Sequence, residues 1–148
     1  MKFKCASGIF AIVLSATFSC KKEPAVISII GKWYLTKQQS KLFYNGNLIS
    51  TFNNSSFTTN DFVQYFTDGS GYTSQNTTTS PSIMEFTYIL SGNVLSLYTS
   101  SNDIKITDTV TSITSANLSI HAESLVPDPD NSGQFDNEID DFFYKKAN

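Results

Sequence analysis

The chain has 148 residues, a formal charge of −3, 14% aromatic residues and 16% charged ones. That length suits one domain, and the 40% apolar content is enough for a real core. Charge falls below the roughly 25% usual in soluble domains, and 21 Ser and 16 Thr stand in its place. There is no arginine, which removes bidentate phosphate recognition and excludes nucleic acid as an expected partner.

The first residues read as an address. Lys2 and Lys4 precede an apolar stretch from Gly8 to Phe18, which has signal-peptide length and is too short for a membrane span. It ends at Ser19-Cys20-Lys21-Lys22-Glu23. A cysteine placed there and followed at once by polar residues resembles a bacterial lipoprotein signal. That resemblance implies cleavage before Cys20 and acyl chains on Cys20 that tether the protein to a membrane. The alternative is an ordinary secretory signal with an incidental cysteine, and Thr17 stands where lipoprotein signals usually carry Leu. Cleavage leaves 129 residues, a formal charge of −5 and no free thiol or disulfide. Several acyl chains anchor stably where one does not. Lys21, rather than Asp, removes the usual inner-membrane retention signal, so the expected location is the outer membrane. The predicted organisation is a signal at 1–19, a tether at 20–30 and one domain at 31–148.

From Gly31 the chain reads as hairpins. Trp33, Leu35 and Lys37 alternate with Tyr34, Thr36 and Gln38, a period-2 strand pattern. Asn45-Gly46 between apolar runs is a strong hairpin signal. Residues 52–60, rich in Asn, Ser and Thr, are expected to form a loop, and 61–67 a strand turned by Asp68-Gly69-Ser70-Gly71. The clearest strand is 84–90, with Phe86, Tyr88 and Leu90 on one face. Ser91-Gly92-Asn93 turns it into a strand carrying Leu95 and Leu97. Ile104, Ile106 and Val110 line the next, Leu118 and Ile120 the one after, and 141–145 the last, behind an acidic loop at 124–140. No stretch has helical periodicity. The expected fold is all-β, an up-and-down antiparallel meander of about eight to ten strands that closes into a barrel to remove its edges.

Gly31-Lys32-Trp33, Phe66-x-Asp68-Gly69 and Phe86-x-Tyr88-x-Leu90-Ser91-Gly92-Asn93-x-Leu95-x-Leu97 resemble the lipocalin-like domain of bacterial lipoproteins. The resemblance covers about 30–120. It implies a small barrel in which Gly31 and Trp33 plug the closed end. The arginine that packs on this tryptophan in animal lipocalins is missing, leaving Lys145 or Lys146 as partial substitutes.

An eight-stranded barrel either fills itself or holds one small ligand. Both readings are open, and the leading expectation is non-catalytic binding of a small apolar or amphipathic ligand by Phe66, Phe86, Tyr88, Leu90, Leu97 and Ile106, with the Tyr88 hydroxyl orienting it. Leu35 is also expected inside. The alternative is a solid barrel acting as a surface interaction module. Tyr34, Tyr65 and Tyr98 would then face outward and hold a glycan or a protein partner. Asp128, Asp130, Ser132 and Asp136 begin like a calcium loop, with Gly133 at the sixth position, but Ile139 stands where a bidentate Glu belongs. Calcium is therefore a candidate ligand against the plainer reading of a solvated acidic turn. The single His121 and the absence of a Gly-x-Ser-x-Gly turn give no basis for catalysis. The chain is expected to be a monomer.

Overall fold

The structure, a computed structural model, describes residues 28–76, 80–99, 105–127 and 135–148. Every regular element among them is a strand. The strands are β1 (Gly31–Tyr44), β2 (Asn47–Asn54), β3 (Phe62–Tyr65), β4 (Ser70–Asn76), β5 (Pro81–Ser91), β6 (Val94–Thr99), β7 (Lys105–Ile113), β8 (Asn117–Pro127) and β9 (Phe135–Lys146). Consecutive strands from β3 to β9 pair antiparallel, and β9 returns to β1 over Trp33–Phe43. Eight strands thus close a barrel. β2 is the ninth: it and β3 occupy successive stretches of the same β1 edge, β3 beside Gly31–Tyr34 and β2 beside Gln38–Tyr44. Asn45 (φ 48°) and Gly46 (φ 77°) form the β1–β2 turn, both in the positive-φ region that Asn-Gly tolerates.

Strand direction gathers Gly31, the turns at 66–69, 91–93 and 114–116, and the end of β9 at one end of the barrel. Trp33 is fully buried there. Its indole N–H donates to the Ile29 carbonyl at 2.6 Å. Lys146 lays its ammonium 4.8 Å from the Trp33 ring centroid and donates to the Ile30 carbonyl at 3.0 Å. A Cβ on Gly31 would come within 3.0 Å of the Lys146 chain, so the glycine leaves the corridor through which the lysine reaches the ring.

The inward residues form one continuous core: Trp33, Val63, Tyr65, Phe86, Leu95, Val110, Leu118 and Ile120, with Tyr88, Leu97, Phe142 and Tyr144 packed against it. Each fully buried large apolar side chain contributes about 1.5–3 kcal/mol. Leu35 is buried as expected.

Several local expectations are corrected. Strict alternation on β1 would put Lys37 on the Trp33 face. A bulge at Thr36, where the register with β9 jumps between Leu35 and Lys37, reverses the faces. Its hydroxyl donates to the Phe143 carbonyl at 2.9 Å. Lys37 then lies on the outside against Phe143, and Gln38 joins the inward face opposite Phe142. An unpaired lysine inside would cost several kcal/mol, and one extra residue avoids it.

Tyr65, expected outside, is 2% exposed, whereas Phe66, expected inside, is 38% exposed. The cause is alternation from Val63: Val63 and Tyr65 share the core face of β3, where Tyr65 lies between Gly31 on β1 and Gly71 on β4. β3 ends at Tyr65, and Phe66 begins the turn, pairing its N–H with the Ser70 carbonyl. The 52–60 loop is shorter than expected, since β2 runs to Asn54. The 124–140 loop also contracts, because β8 continues to Pro127 and β9 begins at Phe135.

Candidate functional site

Inside the barrel, the residues expected to hold a guest are unequal. Phe86 is buried, its ring packed where a Cβ on Gly71 would lie 2.5 Å away. Leu97 and Ile106 are half-buried, while Leu90 reaches 37% exposure at the turn end of β5. Tyr88 packs edge-on against Tyr65, with ring centroids 5.0 Å apart. Its hydroxyl donates to the Phe66 carbonyl at 2.7 Å, so it serves the fold. Burial, helped by the nearby Asp68 charge, raises the Tyr88 pKa.

One inward residue was not expected in the core. Asp108 sits opposite Leu95 on the core face of β7 and is 9% exposed. Burial raises its pKa to about 6, with His121 pulling the other way. The buried phenols of Tyr65 and Tyr144 feel its charge, and both are pushed upward, chiefly by burial. A polar residue in a period-2 apolar run, Ile106-Thr107-Asp108-Thr109-Val110, was the available signal.

The outer face of β1, β3 and β4 carries a belt of rings. Tyr34 meets Phe62 edge-on at 6.4 Å, Phe62 meets Tyr72 at 5.5 Å, and Tyr72 meets Phe66 at 6.0 Å. The Lys32 ammonium lies 3.5 Å from the Phe62 centroid and 5.1 Å from that of Tyr34. The Tyr72 hydroxyl donates to Gln64 Oε1 at 3.1 Å, which holds the ring in place.

This belt leads into a groove of about 520 Å³ lined by Phe66, Ser70, Tyr72, Glu85, Thr87 and Tyr98, with Gly71, Phe86 and Thr99. Register explains its shape. Tyr72 on β4 lies opposite Glu85 on β5, and Thr87 lies between Ser70 on β4 and Tyr98 on β6. Tyr72 and Tyr98 therefore stand two strands across and two residues along from each other, about 11–12 Å between backbones, above a floor of smaller side chains. Ser70 is fixed by Asp68, whose Oδ1 accepts from its hydroxyl at 2.6 Å and its N–H at 2.9 Å; these bonds lower the Asp68 pKa. Glu85 and Thr87 are exposed. At the other end of the belt, a second groove of about 480 Å³ runs past Tyr34, Phe57 and Lys145. Of the three tyrosines expected outside, Tyr34 and Tyr98 belong to this surface and Tyr65 does not.

His121 lies on the outer face opposite Asp141. Its Nδ1 is 2.7 Å from Asp141 and its Nε2 is 3.2 Å from Glu123, while Lys41 lies 3.9 Å from Asp141. The carboxylates raise the His121 pKa, that of Asp141 most. This cluster ties β1, β8 and β9 together and contains no nucleophile.

Cys20 lies outside the described residues, as do Asp128, Asp130 and Ser132. The backbone of Asp136 belongs to β9, opposite Val126. Among the described residues no group of three or more His, Cys, Asp or Glu side chains is placed to hold a metal ion.

No protein-family model and no curated protein matches this sequence. Among solved structures, the chain is similar to an uncharacterized protein from Bacteroides eggerthii DSM 20697. The two are 12% identical with a TM-score of 0.49, over 81% of this chain and 100% of that one.

Proposed function

We propose that the protein is a non-catalytic binding module that holds a glycan in the outer groove between Tyr72 and Tyr98, tethered to the outer membrane through acyl chains on Cys20. The observation that carries this reading is the spacing of the half-buried Tyr72 ring and the exposed Tyr98 ring across a floor of Glu85 and Thr87. A pyranose has C–H faces that pack on aromatic rings and equatorial hydroxyls that bond to carboxylate and hydroxyl groups. The separation of the two rings leaves room for one sugar ring between them. An apolar guest would instead leave Glu85 and Thr87 desolvated without partners, which is costly. The barrel fold also suits a guest in the lumen, but its inward rings already pack on one another and the Tyr88 hydroxyl is already bonded.

The test is a glycan array of neutral and acidic oligosaccharides probed with the wild-type protein, Tyr98→Ala and Tyr88→Ala. The expected result is binding to one glycan class, lost at least tenfold in Tyr98→Ala and kept in Tyr88→Ala. Binding lost in Tyr88→Ala and kept in Tyr98→Ala would transfer the function to the lumen, and absence of binding to any glycan would overturn the reading. For the tether, Cys20→Ala should release the protein from membranes; continued membrane association would refute it.

A further inference from the structure

The two ends of the barrel are unlike. The closed end carries exposed apolar side chains around the β5–β6 turn: Ile89 at 60%, with Leu90, Val94 and, in the neighbouring turn, Phe66. Pairing of β4 with β5 stops at Thr87, and the Tyr88 N–H donates to the Gly69 carbonyl, so on that side the hairpin is uncovered from Ile89 on. The tip Ile89-Leu90-Ser91-Gly92-Asn93-Val94 contains no charge. Ile30 is exposed at the same end, where the Lys146 ammonium donates to its carbonyl.

Charge is divided between the ends as well. Lys32, Lys145 and Lys146 lie at the start of β1, since Lys146 pairs with Trp33 and Lys145 with Tyr34. Asp141, Asp140 and Glu138 lie opposite Gln39, Ser40 and Leu42, roughly 20 Å further along the strands, with Glu123 and Lys41 beside them. The turns at 66–69, 91–93 and 114–116 hold one carboxylate, Asp68, and Ser70 is bonded to it. An end with an apolar tip on one wall and cations on the other, in a chain that is acidic as a whole, fits an anionic lipid surface. There apolar burial and attraction to headgroups act together.

We infer that the closed end docks on the membrane that holds Cys20, the β5–β6 tip entering the lipid and the lysines facing anionic headgroups. The inference rests on the acyl tether proposed above. Ile29 is packed into the core beside Trp33, so the chain toward Cys20 leaves from the closed end. The eight residues from Cys20 to Ser28 span at most about 29 Å, whereas β1 carries the chain about 43 Å away, from Gly31 to Tyr44. The tether therefore keeps the closed end at the lipid and lets the open end, with its carboxylates, stand away.

The test uses the full-length acylated protein reconstituted in vesicles of phosphatidylcholine and phosphatidylglycerol. Ile89→Cys and, toward the open end, Leu125→Cys, a position 69% exposed, each carry a fluorophore on the introduced thiol. Phospholipids spin-labelled on their acyl chains should quench the Ile89→Cys label at least fivefold more than the Leu125→Cys label, while both proteins keep the circular dichroism of the wild type. Omitting phosphatidylglycerol should reduce that quenching at least twofold; quenching that stays the same would overturn the role given to the lysines. Equal quenching of the two labels in vesicle-bound protein would overturn the inference and leave the tether standing. Protein that does not float with the vesicles would overturn the tether and the inference together.

Discussion

The inner and outer faces of β3 to β6 are built from similar side chains put to different uses. Inside, Tyr65, Phe86 and Tyr88 touch one another, with ring centroids 5.0 and 5.7 Å apart for the two contacts made by Tyr65. Gly71 leaves open the space that the Phe86 ring takes. Outside, Tyr72 and Tyr98 stand apart with a gap between them. Rings that fill each other's space stabilise a fold, whereas rings held apart over polar groups leave a place for something else. Alternation lets one set of strands do both.

The comparison breaks most sharply under truncation. Phe86→Ala should cost about 3–5 kcal/mol, since a buried ring is removed and its cavity stays. Tyr98→Ala should change stability by no more than about 0.5 kcal/mol while removing glycan binding. Urea unfolding of both variants checks the pair. Equal losses of stability would mean that the outer ring is structural.

Filling the space beside the Phe86 ring tests the inner half from the other direction. A Cβ at Gly71 would lie 2.5 Å from the Phe86 ring and 2.6 Å from the Gln64 carbonyl oxygen, and that carbonyl cannot move freely. Gly71→Ala should cost about 1–3 kcal/mol by overpacking, measured by the same unfolding curves.

How far the sequence revealed this division depended on which signals were local. Asn45-Gly46, Gly69 and Ser91-Gly92-Asn93 marked their turns because turn chemistry is set within four residues, and the hairpin meander followed from them. Gly31-x-Trp33 marked the start of β1. The bulge at Thr36 was invisible because a period-2 pattern cannot show where one residue is added. The choice between Tyr65 and Phe66 turned on where β3 ends and which of its faces meets the core, and with apolar residues on both faces the local pattern could not say. The same holds for the groove: Tyr72, Glu85, Thr87 and Tyr98 lie on three strands, and no spacing within one of them announces that they meet. Asp61 was read as the start of a strand. Its carboxylate instead accepts from the Thr58 N–H and hydroxyl and the Asn76 N–H, at 2.7, 2.9 and 2.8 Å. Burial works to raise its pKa, but these bonds prevail and lower it.

Asp108 gives the inner face its own pH dependence. Its folded pKa of about 6 exceeds the usual carboxylate value, so the folded state binds more protons than the unfolded state between about pH 4 and 6. Stability therefore falls as pH rises through that window and the loss is complete above it. Asp108→Asn should stabilise the protein at pH 8 by on the order of 1–2 kcal/mol, after discounting for screening by nearby solvent. The gain should vanish near pH 4. Melting temperatures of the two proteins at pH 4 and pH 8 check this, and a gain independent of pH would show that the carboxyl is not desolvated.

The smallest expected effect is at His121. Its pKa is raised by Asp141 and Glu123, so its contribution is full below the unfolded value of about 6.5 and is lost as pH rises through the folded one. On an exposed site it amounts to less than about 1 kcal/mol. The stability difference between wild type and His121→Ala should therefore shrink from pH 6 to pH 9 in urea unfolding; a difference that grows would contradict the assigned charge.

The most direct test of the outer groove as the binding face is NMR on protein carrying labelled tyrosine rings and labelled leucine and isoleucine methyl groups, titrated with the oligosaccharide selected on the array. The expected result is movement of the Tyr72 and Tyr98 ring signals while the methyls of Leu95, Leu97 and Ile106 stay in place. Movement of those methyls with Tyr98 unchanged would contradict the account and put the ligand inside the barrel.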